Sequence, residues 1–125
     1  LLPYPLLAEL HSAADPSLPL LARGPLAAAP QVALIPVGAI PDAEAVAKAL
    51  QAALQQQDPA AQVLLSSDLG VASHCQAQLL LTAPGAASRR ALRKLQQDLG
   101  LQGRPVAGQL LLVPQPAEAE SSHGA

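Results

Sequence analysis

Residues 35–50, IPVGAIPDAEAVAKAL, run from an apolar stretch through a tight turn into an amphipathic one. That is the layout of a phosphate-binding loop, where glycines free the backbone amides, a lysine adds charge and a helix starts at the anion. Here the turn reads Gly38-Ala39-Ile40-Pro41-Asp42. It holds one glycine, Pro41 has no N–H to donate, and Asp42 brings negative charge to the place of a phosphate. Lys48 stands nearly two turns inside the helix, out of reach. The turn still offers a helix start at which Gly38 and Asp42 can hold a small ligand, but Asp42 as a plain N-cap accounts for it equally well.

Asp68 follows an apolar run, at the end of a strand, where open α/β sheets place their ligands; it also suits a turn or cap. His74 and Cys75 are adjacent, while His11 and His123 lie far along the chain, so no metal-ligand spacing emerges and no metal is expected. Ser66, Ser67 and Ser73 have no visible His or Asp partner, so no catalytic residue is expected either. Four of the seven basic residues, Arg89, Arg90, Arg93 and Lys94, gather in one stretch. At roughly 100° per residue they cover one helix face opposite Leu92, Leu95 and Leu99. Arg89 and Arg90 sit at the helix start, where the dipole disfavours cations. Such a face is either simply solvated or a contact surface for an acidic partner, a neighbouring subunit or anionic headgroups.

These residues need a frame. Val32–Val37 is a short apolar run between Pro30 and Gly38, as a buried strand would be. Asp42 and Glu44 suit the start of the next helix, whose Ala43, Val46, Ala47, Leu50, Ala53 and Leu54 form one apolar face until Asp58-Pro59 stops it. Gln62–Ser67 reads as a second strand and Ala77–Ala83 as a third. Ser88 caps a helix to Leu99, Gly100 supplies a left-handed end, and Val106–Val113 is a fourth strand. Near-continuous apolar strands alternating with amphipathic helices predict an α/β fold, a small mainly parallel sheet of about four strands with helices on both faces. The link at 68–76 is short for a parallel crossover, which takes about a dozen residues. Either one helical turn covers it or one strand runs antiparallel.

Outside this body at 31–113, residues 1–30 are Pro/Leu-rich and predict an arm packed through its leucines, with helical turns around Leu6–Ala13 and Leu18–Ala22. Residues 114–125, PQPAEAESSHGA, predict a disordered tail. With 125 residues the chain is one domain. Tyr4 is its only aromatic residue and its net charge is −2, which together speak against nucleic acid as a partner. A lone cysteine excludes an internal disulfide and fits a reducing compartment, and no apolar run approaches the length of a membrane span.

Several strings carry a resemblance. Tyr4–Leu10, YPLLAEL, resembles the segment that follows the second membrane span in Wzz-type polysaccharide chain-length regulators. In many of these the chain leads on into a tyrosine-kinase domain of the MinD/ParA-like P-loop class. Cys75–Leu112 is similar to the last strand-helix-strand of that kinase, with Pro84, Gly85, Arg89, Leu99, Gly103, Val106 and Gly108 in matching places. The resemblance implies a P-loop NTPase or Rossmann-like three-layer domain, cytoplasmic, as part of an inner-membrane parent chain. The departures are in the chemistry. The Walker lysine is missing, the aspartates that would hold magnesium reduce to Asp68, and no tyrosine cluster ends the chain.

The implied function is therefore a non-catalytic pseudo-kinase domain without cofactor, acting through self-association or a protein partner. A nucleotide-binding sensor with an unusual pocket near Gly38 and Asp68 is the alternative from another class. A weaker resemblance, to the region before the patatin domain of proteins like neuropathy target esterase, implies instead an accessory domain of a lipid hydrolase. The G-x-S-x-G elbow of such hydrolases is absent from this sequence.

Overall fold

Val32, Ala33, Leu34 and Ile35 are all buried, as in a strand covered on both faces. In the computed structural model, which describes residues 4–27 and 29–113, they form β2 (Gln31–Pro36). The chain order is β1 (Leu6–Leu10), α1 (Ser17–Arg23), β2, α2 (Ala43–Gln55), β3 (Gln62–Leu65), α3 (Leu69–Ala72), β4 (Ala77–Thr82), α4 (Arg89–Gln102) and β5 (Gly108–Leu112). The strands make one sheet in the order β1-β5-β4-β2-β3, with every neighbouring pair parallel. The fold is thus α/β, Rossmann-like and three-layered. Alternate residues along each strand face opposite ways. Val32, Leu34, Leu79, Leu81 and Leu110 meet Leu18, Leu21, Val46 and Leu50 of α1 and α2. Ala33, Ile35, Val37 and Leu80 meet Ala72 of α3 and Leu92, Leu95 and Leu99 of α4. The expected tail at 114–125, His123 included, lies outside the described residues.

The structure corrects the sequence reading at three places. The sheet has five strands rather than about four, and the fifth is β1, where a helical turn was expected. Gly108 of β5 leaves room for the incoming chain. A Cβ on Gly108 would stand 2.6 Å from Leu7 Cγ and 2.7 Å from the Pro5 carbonyl. Asp42 occupies the N-cap position without capping: its φ of 64° is left-handed and its side chain makes no cap hydrogen bond. An N-cap needs an extended backbone to aim its oxygen at the first amides, and this one points elsewhere. Gly100 lies within α4, and the left-handed residue is Gly103, φ 75°. The helix gains that length because Gln102 Nε2 donates to the Leu69 carbonyl (2.8 Å) and to Gln78 Oε1 (3.0 Å), which fixes its last turn. Three other expectations hold. α1 covers the second turn expected in the arm, Ser88 Oγ accepts the Ala91 N–H (3.1 Å), and the single helical turn α3 spans the short link and keeps the sheet parallel.

The β3 edge is closed by its own helix. Gln62 donates its N–H to the Pro30 carbonyl (2.8 Å) and Ser66 to that of Leu34 (3.1 Å), so the backbone groups of residues 62, 64 and 66 face β2. Those of 61 and 63 therefore face outward. Gln51 Oε1 accepts the Val63 N–H at 2.9 Å, and Gln55 Nε2 donates to the Ala61 carbonyl at 3.0 Å. One turn apart on α2, the two amides supply the donor and acceptor that another strand would bring. Replacing both by leucine (Gln51→Leu, Gln55→Leu) is expected to open this edge. Sedimentation velocity would then show concentration-dependent association beyond that of wild type; identical sedimentation would refute the guarding role.

Candidate functional site

β2 and β4 lie side by side, yet the chain leaves β2 toward α2 on one face and leaves β4 toward α4 on the other. This divergence opens a crevice at the carboxyl ends of the two strands, the usual ligand position of an open α/β sheet. The phosphate-loop-like turn borders it. The Val37 N–H donates to the Leu81 carbonyl (2.9 Å), which carries the β2–β4 pairing up to the turn, and Gly38 then takes φ 87°. Its Cα is packed against the loop after β4: a Cβ there would run into the Ala86 carbonyl and stand 3.0 Å from Ala87 Cβ. So the chain's own backbone packs tightly against the turn at Gly38.

The other expected site residues lie apart. Asp42 is exposed at the start of α2. Asp68 is exposed at the end of β3, with Oδ1 accepting the N–H groups of Gly70 (2.9 Å) and Val71 (3.4 Å), so it serves as the cap of α3. Ser66 Oγ accepts the Asp68 N–H (3.0 Å) and Ser73 Oγ donates to the Gly70 carbonyl (2.8 Å), so both hydroxyls serve the same turn. Cys75 is buried, and that burial pushes its thiol up, away from the reactive thiolate. Its carbonyl accepts Arg104 Nη2 (3.0 Å). Among the described residues no three His, Cys, Asp or Glu side chains gather as a metal site would require, and no helix is long and apolar enough to cross a membrane.

The structure forms a cavity that sequence reasoning missed. It has a volume of about 290 Å³ and lies under the first turns of α4, between the end of β4 and the face of β5. Val37, Ala83, Pro84, Ala87, Leu92 and Leu111 give it an apolar lining. Its polar edges are engaged: Thr82 Oγ1 donates to the Leu110 carbonyl (3.2 Å) and Gln109 Nε2 to that of Tyr4 (2.8 Å). Gly38, Asp42 and Asp68 do not line it. The only sequence signal for it is Pro84-Gly85, which ends β4 before α4 can close over the sheet.

Arg89, Arg90, Arg93 and Lys94 are all exposed on α4, whose first turn contains no acidic residue. Lys94 Nζ meets Asp98 Oδ1 at 3.0 Å, and among the described residues the three arginines have no carboxylate partner. This geometry defines a class, a three-layer α/β domain whose turn after β2 packs against the loop after β4 and whose α4 carries three arginines without a carboxylate partner among the described residues. A scan of protein-family models finds no match, and neither curated proteins nor solved structures give one.

Substitution separates conformation from contact at this site. Gly85 (φ 72°) has open space around its Cβ position, so Gly85→Ala carries only the left-handed backbone cost of about 1–2 kcal/mol. Gly38→Ala adds a collision with backbone, and its urea midpoint is expected to fall clearly below that of Gly85→Ala. Equal midpoints would show that Ala86 does not press on the turn.

Proposed function

We propose that this chain is a non-catalytic, P-loop-derived α/β domain that works by association, as the cytoplasmic part of a Wzz-type polysaccharide chain-length regulator. The observation that supports the non-catalytic part is the close packing of the Ala86 carbonyl against Gly38, which leaves no room beside that turn for even a methyl group. No lysine in the turn and no paired carboxylates at the strand ends compensate for it. The association part is supported by charge. Arg90 and Lys94 point away from the sheet on α4, whereas Asp42 and Glu44 are exposed at the start of α2, on the other side of the sheet. Opposite charges on opposite sides suit a heterologous contact, with the basic face of one copy against the acidic helix start of the next. Repeated, that contact closes a ring where the rotation between copies permits and otherwise extends as a filament.

Two charge-reversed variants test this. Arg90→Glu/Lys94→Glu makes both surfaces acidic, and Asp42→Lys/Glu44→Lys makes both basic. Wild type is expected to associate at low salt and to dissociate as salt screens the contact. Each variant alone is expected to stay monomeric, and an equimolar mixture to associate again. Sedimentation velocity reads all of these states. Variants that sediment like wild type, or a mixture no heavier than its components, would remove the association reading.

A further inference from the structure

We infer that the cavity under α4 is a binding site for a small amphiphilic anion, an alkyl chain or single ring bearing one phosphate or carboxylate. The space is suited to the apolar part. It measures about 290 Å³, and an engineered apolar cavity of about 150 Å³ already admits benzene. Val37, Leu92 and Leu111 provide aliphatic contact on three sides, from the turn after β2, α4 and β5. Buried Gln109 also lines it, with its Nε2 turned to the Tyr4 carbonyl, so the walls ask little of a ligand's polar groups.

Charge selects the head group. Arg89 precedes Leu92 by three residues and so adjoins it on the helix surface, and Arg93 lies one turn beyond Arg89. Two like charges at this spacing repel each other, with no carboxylate among the described residues to relieve them. Arg89 is also on the first residue of α4, where a cation is disfavoured. An anionic head at the mouth of the cavity neutralises both costs while its tail replaces water against the leucines. Neither arginine lines the cavity, but Arg89 stands one helical turn before Leu92, close enough for a head group at the mouth to reach it.

The site shares α4 with the contact face above, but it uses Arg89 and Arg93 where that face uses Arg90 and Lys94. Leu111→Trp fills the cavity and leaves the whole basic face intact, so the two readings fail separately. The test is calorimetric titration of the chain with octyl phosphate, octanol and inorganic phosphate, each well below any micelle-forming concentration. Octyl phosphate is expected to bind at least tenfold more tightly than either of the other two. Arg89→Gln/Arg93→Gln should bring it to the octanol level, and Leu111→Trp should abolish it with the melting temperature kept. If Leu111→Trp melts early, Ala87→Val narrows the same cavity from the loop side and is expected to weaken binding. Three results would overturn the inference: no saturable binding of octyl phosphate, equal binding by a cavity-filled variant, or inorganic phosphate binding as tightly. Binding to anionic lipid vesicles that Leu111→Trp leaves unchanged, without uptake of octyl phosphate, would assign the arginines to a membrane surface and also overturn it.

Discussion

Two apolar strands lying side by side at the centre of the sheet set the terms for everything else. β2 and β4 pair in register from Val32 with Ala77 to Pro36 with Leu81, and their central residues are excluded from water on both faces. Such strands cannot stand at a surface, so helices must cover both sides. α1 and α2 cover one face, and α3 and α4 the other. Because the coverings leave β2 and β4 in opposite directions, a crevice at their carboxyl ends is unavoidable. The loop at 83–87 enters that crevice and meets Gly38, and the remaining space becomes the cavity under α4.

The same arrangement explains the uneven wrapping of the sheet. α3 has only four residues, so on its side Leu64 and Val71 stay substantially exposed. Buried Gln78 offsets the thin covering by joining layers: its Nε2 donates to the Pro105 carbonyl (3.3 Å) and its Oε1 accepts from Gln102. A buried amide satisfied in this way fixes where α4 ends. On the opposite face the long α2 reaches past the edge strand, and Gln51 and Gln55 close it. Both sets of glutamines do with side chains what more strand or more helix would otherwise do.

Much of the frame was legible because periodicity and punctuation agreed. Val32–Val37, Gln62–Ser67, Ala77–Ala83 and Val106–Val113 are apolar runs bounded by Pro, Gly or polar residues, and Ser88 sits one residue before an amphipathic stretch. β1 was hidden because Pro-rich flanks suggest an irregular arm, and only the open space above Gly108 makes a strand fit there. Asp42 misled because residue type specifies a cap only when the backbone is extended, and no local signal disclosed its left-handed φ. Gly100 was mistaken for the helix end because the bond that holds the last turn comes from Leu69, 33 residues away from Gln102. The cavity depends on how the loop after β4 meets Gly38, a tertiary fact that no local pattern encodes.

The central proposal is that the turn after β2 has the strand-turn-helix layout of a phosphate loop without its chemistry. Its most direct test is calorimetric titration with ATP and ADP, with and without magnesium. The account predicts no saturable heat in the micromolar range. Binding tighter than about 100 μM, near −5.5 kcal/mol, that Gly38→Ala abolishes while the fold is retained would contradict it.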